Sequence, residues 1–139
     1  MKSHDKLEIS FNASVDTFNK ITEIIGVKPT DTNFDDFPNG IPTTWTYEVV
    51  EKDEDPYFDF INTFLDLLKT KYKLLEELNI QRSNITFWFL YEYDQQCNME
   101  FDPVRLKRLG DNGITLCISC WDSGNEYKMA NEQRTESKI

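Results

Sequence analysis

The sequence predicts an α+β domain: a two-layer sandwich of a mostly antiparallel sheet and about three helices, in the order β-α-β-α-β-β-α-β, a variant of the ferredoxin-like plan. Three observations carry that expectation. Stretches of period-two alternation interleave with stretches of helical period. Each helical stretch is preceded by a capping residue, Ser14, Asp55 or Asp102, and the last two are followed directly by proline. Residues 85–94 are apolar in both alternating sets, as suits a strand near the centre of a sheet or at an interface.

Taken in chain order, Leu7, Ile9, Phe11 and Ala13 alternate with Glu8, Ser10 and Asn12, a strand with one buried face. Ser14 then caps a short helix whose apolar positions are Phe18, Ile21, Ile24 and Ile25, and Gly26 stops it. Residues 31–43, with Pro38, Asn39, Gly40 and Pro42, read as an irregular loop. Trp45, Tyr47 and Val49 mark a second strand. Asp55-Pro56 opens the longest helix, whose buried stripe runs through Tyr57, Ile61, Phe64, Leu65, Leu68, Tyr72, Leu75 and Leu78. The third strand, 85–94, is expected to form a hairpin with a shorter one at 97–101. Asp102-Pro103 starts a last helix, ended by Gly110 and Gly113, and Ile114 to Trp121 is the final strand. One domain over 1–123 is expected, followed by a flexible polar tail over 124–139.

The charge is unevenly placed. Between Asp31 and Asp66 lie ten acids and a single base, Lys52, so this quarter of the chain holds nearly all of the formal net charge of -10. Such a field repels nucleic acid and anionic membrane and attracts basic protein surfaces. No apolar run is long enough to cross a bilayer and no apolar leader follows Met1, so a cytoplasmic protein is expected. Three cysteines are too few for a disulfide framework, in keeping with a reducing compartment.

Motifs for catalysis are missing or badly placed. Cys117-Ile118-Ser119-Cys120 spells C-x-x-C, but on a strand these thiols point to opposite faces and are read as structural. His4 is the only histidine and is expected in a mobile N-terminal stretch. Asp31-x-Asn33-x-Asp35 opens like a calcium loop, yet Asp36 stands where glycine is needed and Pro42 where the bidentate glutamate belongs. No cofactor, metal site or catalytic residue is assigned.

Some residues resemble a known family. Ile24-Ile25-Gly26-Val27-Lys28-Pro29-Thr30, Trp45, and Phe101 to Val104 with Leu106, Leu109, Gly113 and Leu116 are similar to the bacterial family catalogued as "domain of unknown function 4279". The resemblance spans residues 6–122, and its motifs are packing and turn residues. It implies a small bacterial α+β domain with no established activity, some of whose relatives sit near toxin–immunity genes. The loop after the Pro-Thr pair tends to be basic and glycine-rich in relatives, whereas here 31–40 is acidic, so an anion-binding role does not carry over.

Two functions follow as expectations. The first is a small acidic protein that binds a basic protein partner, an immunity-type inhibitor of a cognate toxin being the concrete form. Its docking face would be Asp31, Phe34, Asp35, Asp36 and Phe37 in the loop, Glu51, Asp53, Glu54 and Asp55 before the long helix, and Tyr57 and Asp59 at its start. The second is a small-ligand protein or enzyme with a pocket between the long helix and the sheet, lined by Trp45, Tyr91 and Trp121. Monomer and homodimer are both compatible with the sequence, the latter through the two-faced third strand.

Overall fold

The computed structural model describes residues 2–51 and 58–122. Four strands, β1 (Lys2–Ser10), β2 (Thr44–Glu51), β3 (Ile85–Tyr93) and β4 (Thr115–Asp122), form one mixed sheet in the order β2-β1-β3-β4. β1 runs antiparallel to both β2 and β3, and β4 lies parallel to β3. The helices are α1 (Val15–Ile25), α2 (Phe60–Leu68), α3 (Tyr72–Glu77) and α4 (Pro103–Asp111).

The α+β architecture is as expected, and the local capping chemistry explains much of it. Ser14 accepts from the Thr17 amide, and Gly26 closes α1 at φ 83, a left-handed conformation that glycine enters without a Cβ clash. Asp102 accepts from the Arg105 amide, and Pro103 sits in the first turn of α4, where its missing N–H costs nothing. The buried residues of all four helices join Leu7, Ile9, Trp45, Ile85 and Phe87 from one face of the sheet in a single core. The two-faced β3 lies in the interior of the sheet.

Three expectations are corrected. Residues 97–101 form no strand, because β1 and β4 already occupy both edges of β3; Met99 and Phe101 instead pack their side chains against the core. The long helix is broken after Leu68: Thr70 takes φ 69 and α3 starts a new axis at Tyr72. Leu68, Tyr72 and Leu75 keep helical spacing across the break, so periodicity alone does not register it. β1 starts at Lys2 and takes in His4, which pairs with Val50 on one side and Leu90 on the other. The Asp55-Pro56 start and the tail beyond 123 lie outside the described residues; α2 begins at Phe60, where Asp59 accepts from the Asn62 amide.

Candidate functional site

The acids of the sequence divide into groups with different surroundings. On α2, Asp59 and Asp66 face α4. Arg105 Nε lies 3.0 Å from Asp59 Oδ2, and the same guanidinium bonds to Asp102. Arg108 donates to Asp66 Oδ1 at 2.7 Å and to Asn62 Oδ1 at 2.8 Å. Partial burial works to raise the Asp59 carboxyl, but the hydrogen bonds from Asn62 and Arg105 outweigh it and hold the group below the usual carboxylate range. The backbone and side chain of Arg105 lower Asp102 in the same way. The basic partner of these acids is the chain's own α4.

The far end of the sheet is built differently. Continuing the Leu7 and Ile9 phase backward along β1 brings Asp5 and Ser3 onto the core-facing side, beside Val49 and Glu51 of β2 and Phe89 and Tyr91 of β3. Asp5 is fully buried, and neither of its oxygens receives a hydrogen bond from a donor group among the described residues. Its neighbour is the Glu51 carboxyl, an interaction that requires a proton between the two. Burial first, then the hydrogen bond and charge of Glu51, push the Asp5 pKa up to about 9. Glu51 is the better-solvated partner: its Oε2 accepts from the Ser3 hydroxyl at 2.7 Å and its Oε1 from the Phe58 amide at 2.8 Å. Asp5 is therefore neutral at pH 7.

A cleft of about 350 Å³ opens beside Glu51, lined also by Ser3, Phe89, Tyr91, Met99, Glu100 and Phe101, with Asp5 buried behind Glu51. The segment that fails to become a strand, Asn98 to Phe101, forms its outer wall. Phe101 is held edge-on to Phe60 and Phe89, with centroids 6.2 and 5.9 Å away. A second hollow of about 420 Å³ at the other end of β1 is lined by Ser10, Asn12, Ser14, Asn79 and Asn84 and has no ionisable side chain.

The third group is the loop after α1. Asp31 Oδ1 accepts from the Asn33 amide and Asn33 Oδ1 from the Asp35 amide, both at 2.9 Å, so the calcium-like spacing serves two local turns. Among the described residues no cluster of three or more metal-ligating side chains occurs. Asp31, Asp35 and Asp36 are exposed and form no ion pair with a described residue. Phe34 packs inward, edge-on to Phe18 at 4.8 Å, with Phe37 against it at 6.4 Å, so the loop aromatics anchor the loop as well as facing outward. Thr30 holds the loop onto β2, its amide donating to the Thr46 carbonyl and its hydroxyl accepting from the Glu48 amide. Asp31 thus sits along the same sheet edge that ends at Glu51.

Of the residues expected to face a partner, Asp53, Glu54, Asp55 and Tyr57 lie outside the described residues. Asp59 is spent on its cap and on Arg105. The expected pocket lined by Trp45, Tyr91 and Trp121 does not form. Trp45 is fully buried with its indole N–H on Thr22, Tyr91 lines the cleft, and Trp121 lies on the other face of the sheet with Trp88. The space under α2 is filled by Phe60, Phe64 and Phe87. His4, expected to be mobile, is ordered on the open face, with Nδ1 2.5 Å from Glu48 Oε1. Cys117 and Cys120 fall on opposite faces of β4, and neither is in a disulfide. Asp5 is the functional candidate that sequence reasoning missed. Its signal was present, since an aspartate in phase with Leu7 and Ile9 is a polar residue on a core-facing position.

Comparison with family models, curated proteins and solved structures finds no match to this chain. No helix among the described residues is long and apolar enough to cross a membrane.

Proposed function

We propose that this protein binds a basic protein partner and acts by occluding it, an immunity-type inhibitor being the concrete form that the family resemblance favours. One observation carries the reading: the acids are segregated by how they are compensated. Asp59 and Asp66 are neutralised within the fold by Arg105 and Arg108, while Asp31, Asp35 and Asp36 stand exposed without a cationic neighbour among the described residues, in the loop that Thr30 ties to the edge strand β2. Uncompensated charge on one edge steers an oppositely charged surface and sets its register, and it adds little to the stability of the fold.

The test is capture from the native host on immobilised full-length protein at low salt. A basic partner retained by the wild type, released by 0.5 M salt (about a 4 Å Debye length) and lost when Asp31, Asp35 and Asp36 are replaced together by lysine supports the reading. Equal capture by the triple lysine variant defeats it.

A further inference from the structure

The cleft beside Glu51 has the chemistry of a receptor for one organic cation. Its lining includes two acidic side chains, Glu51 and Glu100, so an anion is disfavoured. A divalent metal would need more ligands than are gathered there, since no group of three or more metal-ligating side chains occurs among the described residues. The walls are Phe89, Tyr91, Met99 and Phe101, which suit an aliphatic stem and a flat cation lying against rings. The volume of about 350 Å³ falls at the small end of ligand clefts, roughly 300–1,000 Å³.

A second observation is independent of the acidic lining. Asp5 is fully buried with both oxygens lacking a donor, pressed against a second carboxyl. A buried carboxyl pressed against a second one, with no cation beside it among the described residues, is costly to the fold. On the α2–α4 side this chain supplies arginines to carboxylates in contact; here, among the described residues, it supplies none. Glu51 uses one acceptor position on each oxygen for Ser3 and Phe58 and a third for the proton shared with Asp5. A carboxylate has about four such positions, so one remains beyond these three. With Glu100 also in the lining, two carboxyl groups border the cleft. That suits the divergent N–H edges of a guanidinium better than the compact head of an ammonium.

From this geometry we infer that the cleft receives an arginine side chain, its guanidinium on Glu51 and Glu100 and its stem against Phe89, Tyr91 and Phe101. The assignment rests on reading the protein as a binder of a basic protein and names the side chain by which that partner is held.

The experiment titrates the full-length protein with N-acetylarginine amide, following backbone amide signals by NMR, with the lysine and norleucine amides as comparators. The arginine compound should shift Ser3, Glu51, Phe58 and Phe101 saturably, the lysine compound more weakly, and norleucine not at all. Glu51→Gln should weaken binding about tenfold. Glu100→Gln, on the exposed strap where folding is not at stake, should weaken it about threefold. Equal shifts from norleucine would reduce the cleft to an apolar hole, tighter binding of lysine would overturn the guanidinium assignment, and unchanged binding in both variants would overturn the site. The titration needs no protein partner, so its outcome is separate from the capture experiment. Capture that depends on Asp31, Asp35 and Asp36 but survives Glu51→Gln would keep the basic partner and reject the cleft.

Discussion

Asp59 and Asp66 face Arg105 and Arg108 across the seam between α2 and α4, whereas Asp5 and Glu51 face each other at the end of β1 and β2. Both pairs of acids sit beside aromatic core, and both come from segments that the sequence marks as acidic or polar. The difference lies in what the fold brings opposite them. At the seam, hydrogen bonds from Asn62 and Arg105 hold Asp59 low, and the ion pairs are partly exposed, so each contributes modestly. At the strand ends, like charges and burial push one carboxyl high, and that part of the fold is stabilised by a proton. The seam is built for the protein itself, and the strand ends hold a cost that an external cation would relieve.

The comparison is most exposed to failure at Asp5. An acid raised above its ordinary value is protonated in the folded chain while the unfolded chain has lost the proton, so the native state binds more protons from about pH 4 to about pH 9. Stability from this group is therefore full in acid and declines as pH rises through that window. Urea unfolding of the wild type should show stability falling between pH 6 and 9. Asp5→Asn, which mimics the protonated acid, should flatten the slope and gain on the order of 2 kcal/mol at pH 8. A wild type that gains stability over that range, or an Asn variant weaker than wild type at pH 8, would remove the contrast between the two regions.

The seam should behave with the opposite sign. Carboxyls held low, such as Asp59 and Asp102, contribute stability above the ordinary carboxylate range and lose it as pH falls through their folded values. Arg105→Met should lower the melting temperature by a few degrees at pH 7, and the loss should shrink at pH 3 and in 1 M salt, where the Debye length is about 3 Å. Melting that is equally depressed under all three conditions would mean Arg105 acts through packing and not through charge. Least affected of all should be the loop: Asp31→Asn, Asp35→Asn and Asp36→Asn together should leave thermal melting unchanged, since their carboxylates meet no cation in the described fold. A clear destabilisation would show that the loop carboxylates support the fold through their charge, since asparagine keeps the acceptor of the turn at Asp31.

Much of the fold was legible because its signals are local. Ser14, Gly26 and Asp102 mark helix ends through bonds to residues three or four positions away, and Pro103 through the N–H it lacks. The strand at 85–93 was legible from its two apolar faces. The hairpin at 97–101 failed for a non-local reason, since whether a segment pairs depends on which sheet edges are already taken. The break at Thr70 is similarly silent in the periodicity, because the residues on each side bury themselves in the same core.

Composition and spacing by themselves determined the fold class, the caps, and the concentration of acid between Asp31 and Asp66, all of which depend on neighbours close along the chain. Only the tertiary structure decided which acids are neutralised. Arg105 and Arg108 lie about forty residues from the acids of α2 that they meet, and Glu51 lies forty-six positions beyond Asp5. Electrostatic partnership follows distance in space and exclusion of water, and neither is written in the order of residues. One acidic stretch therefore became three environments: a seam closed by the chain's own arginines, a solvated loop, and a carboxyl at the end of β2 whose partner is a buried acid.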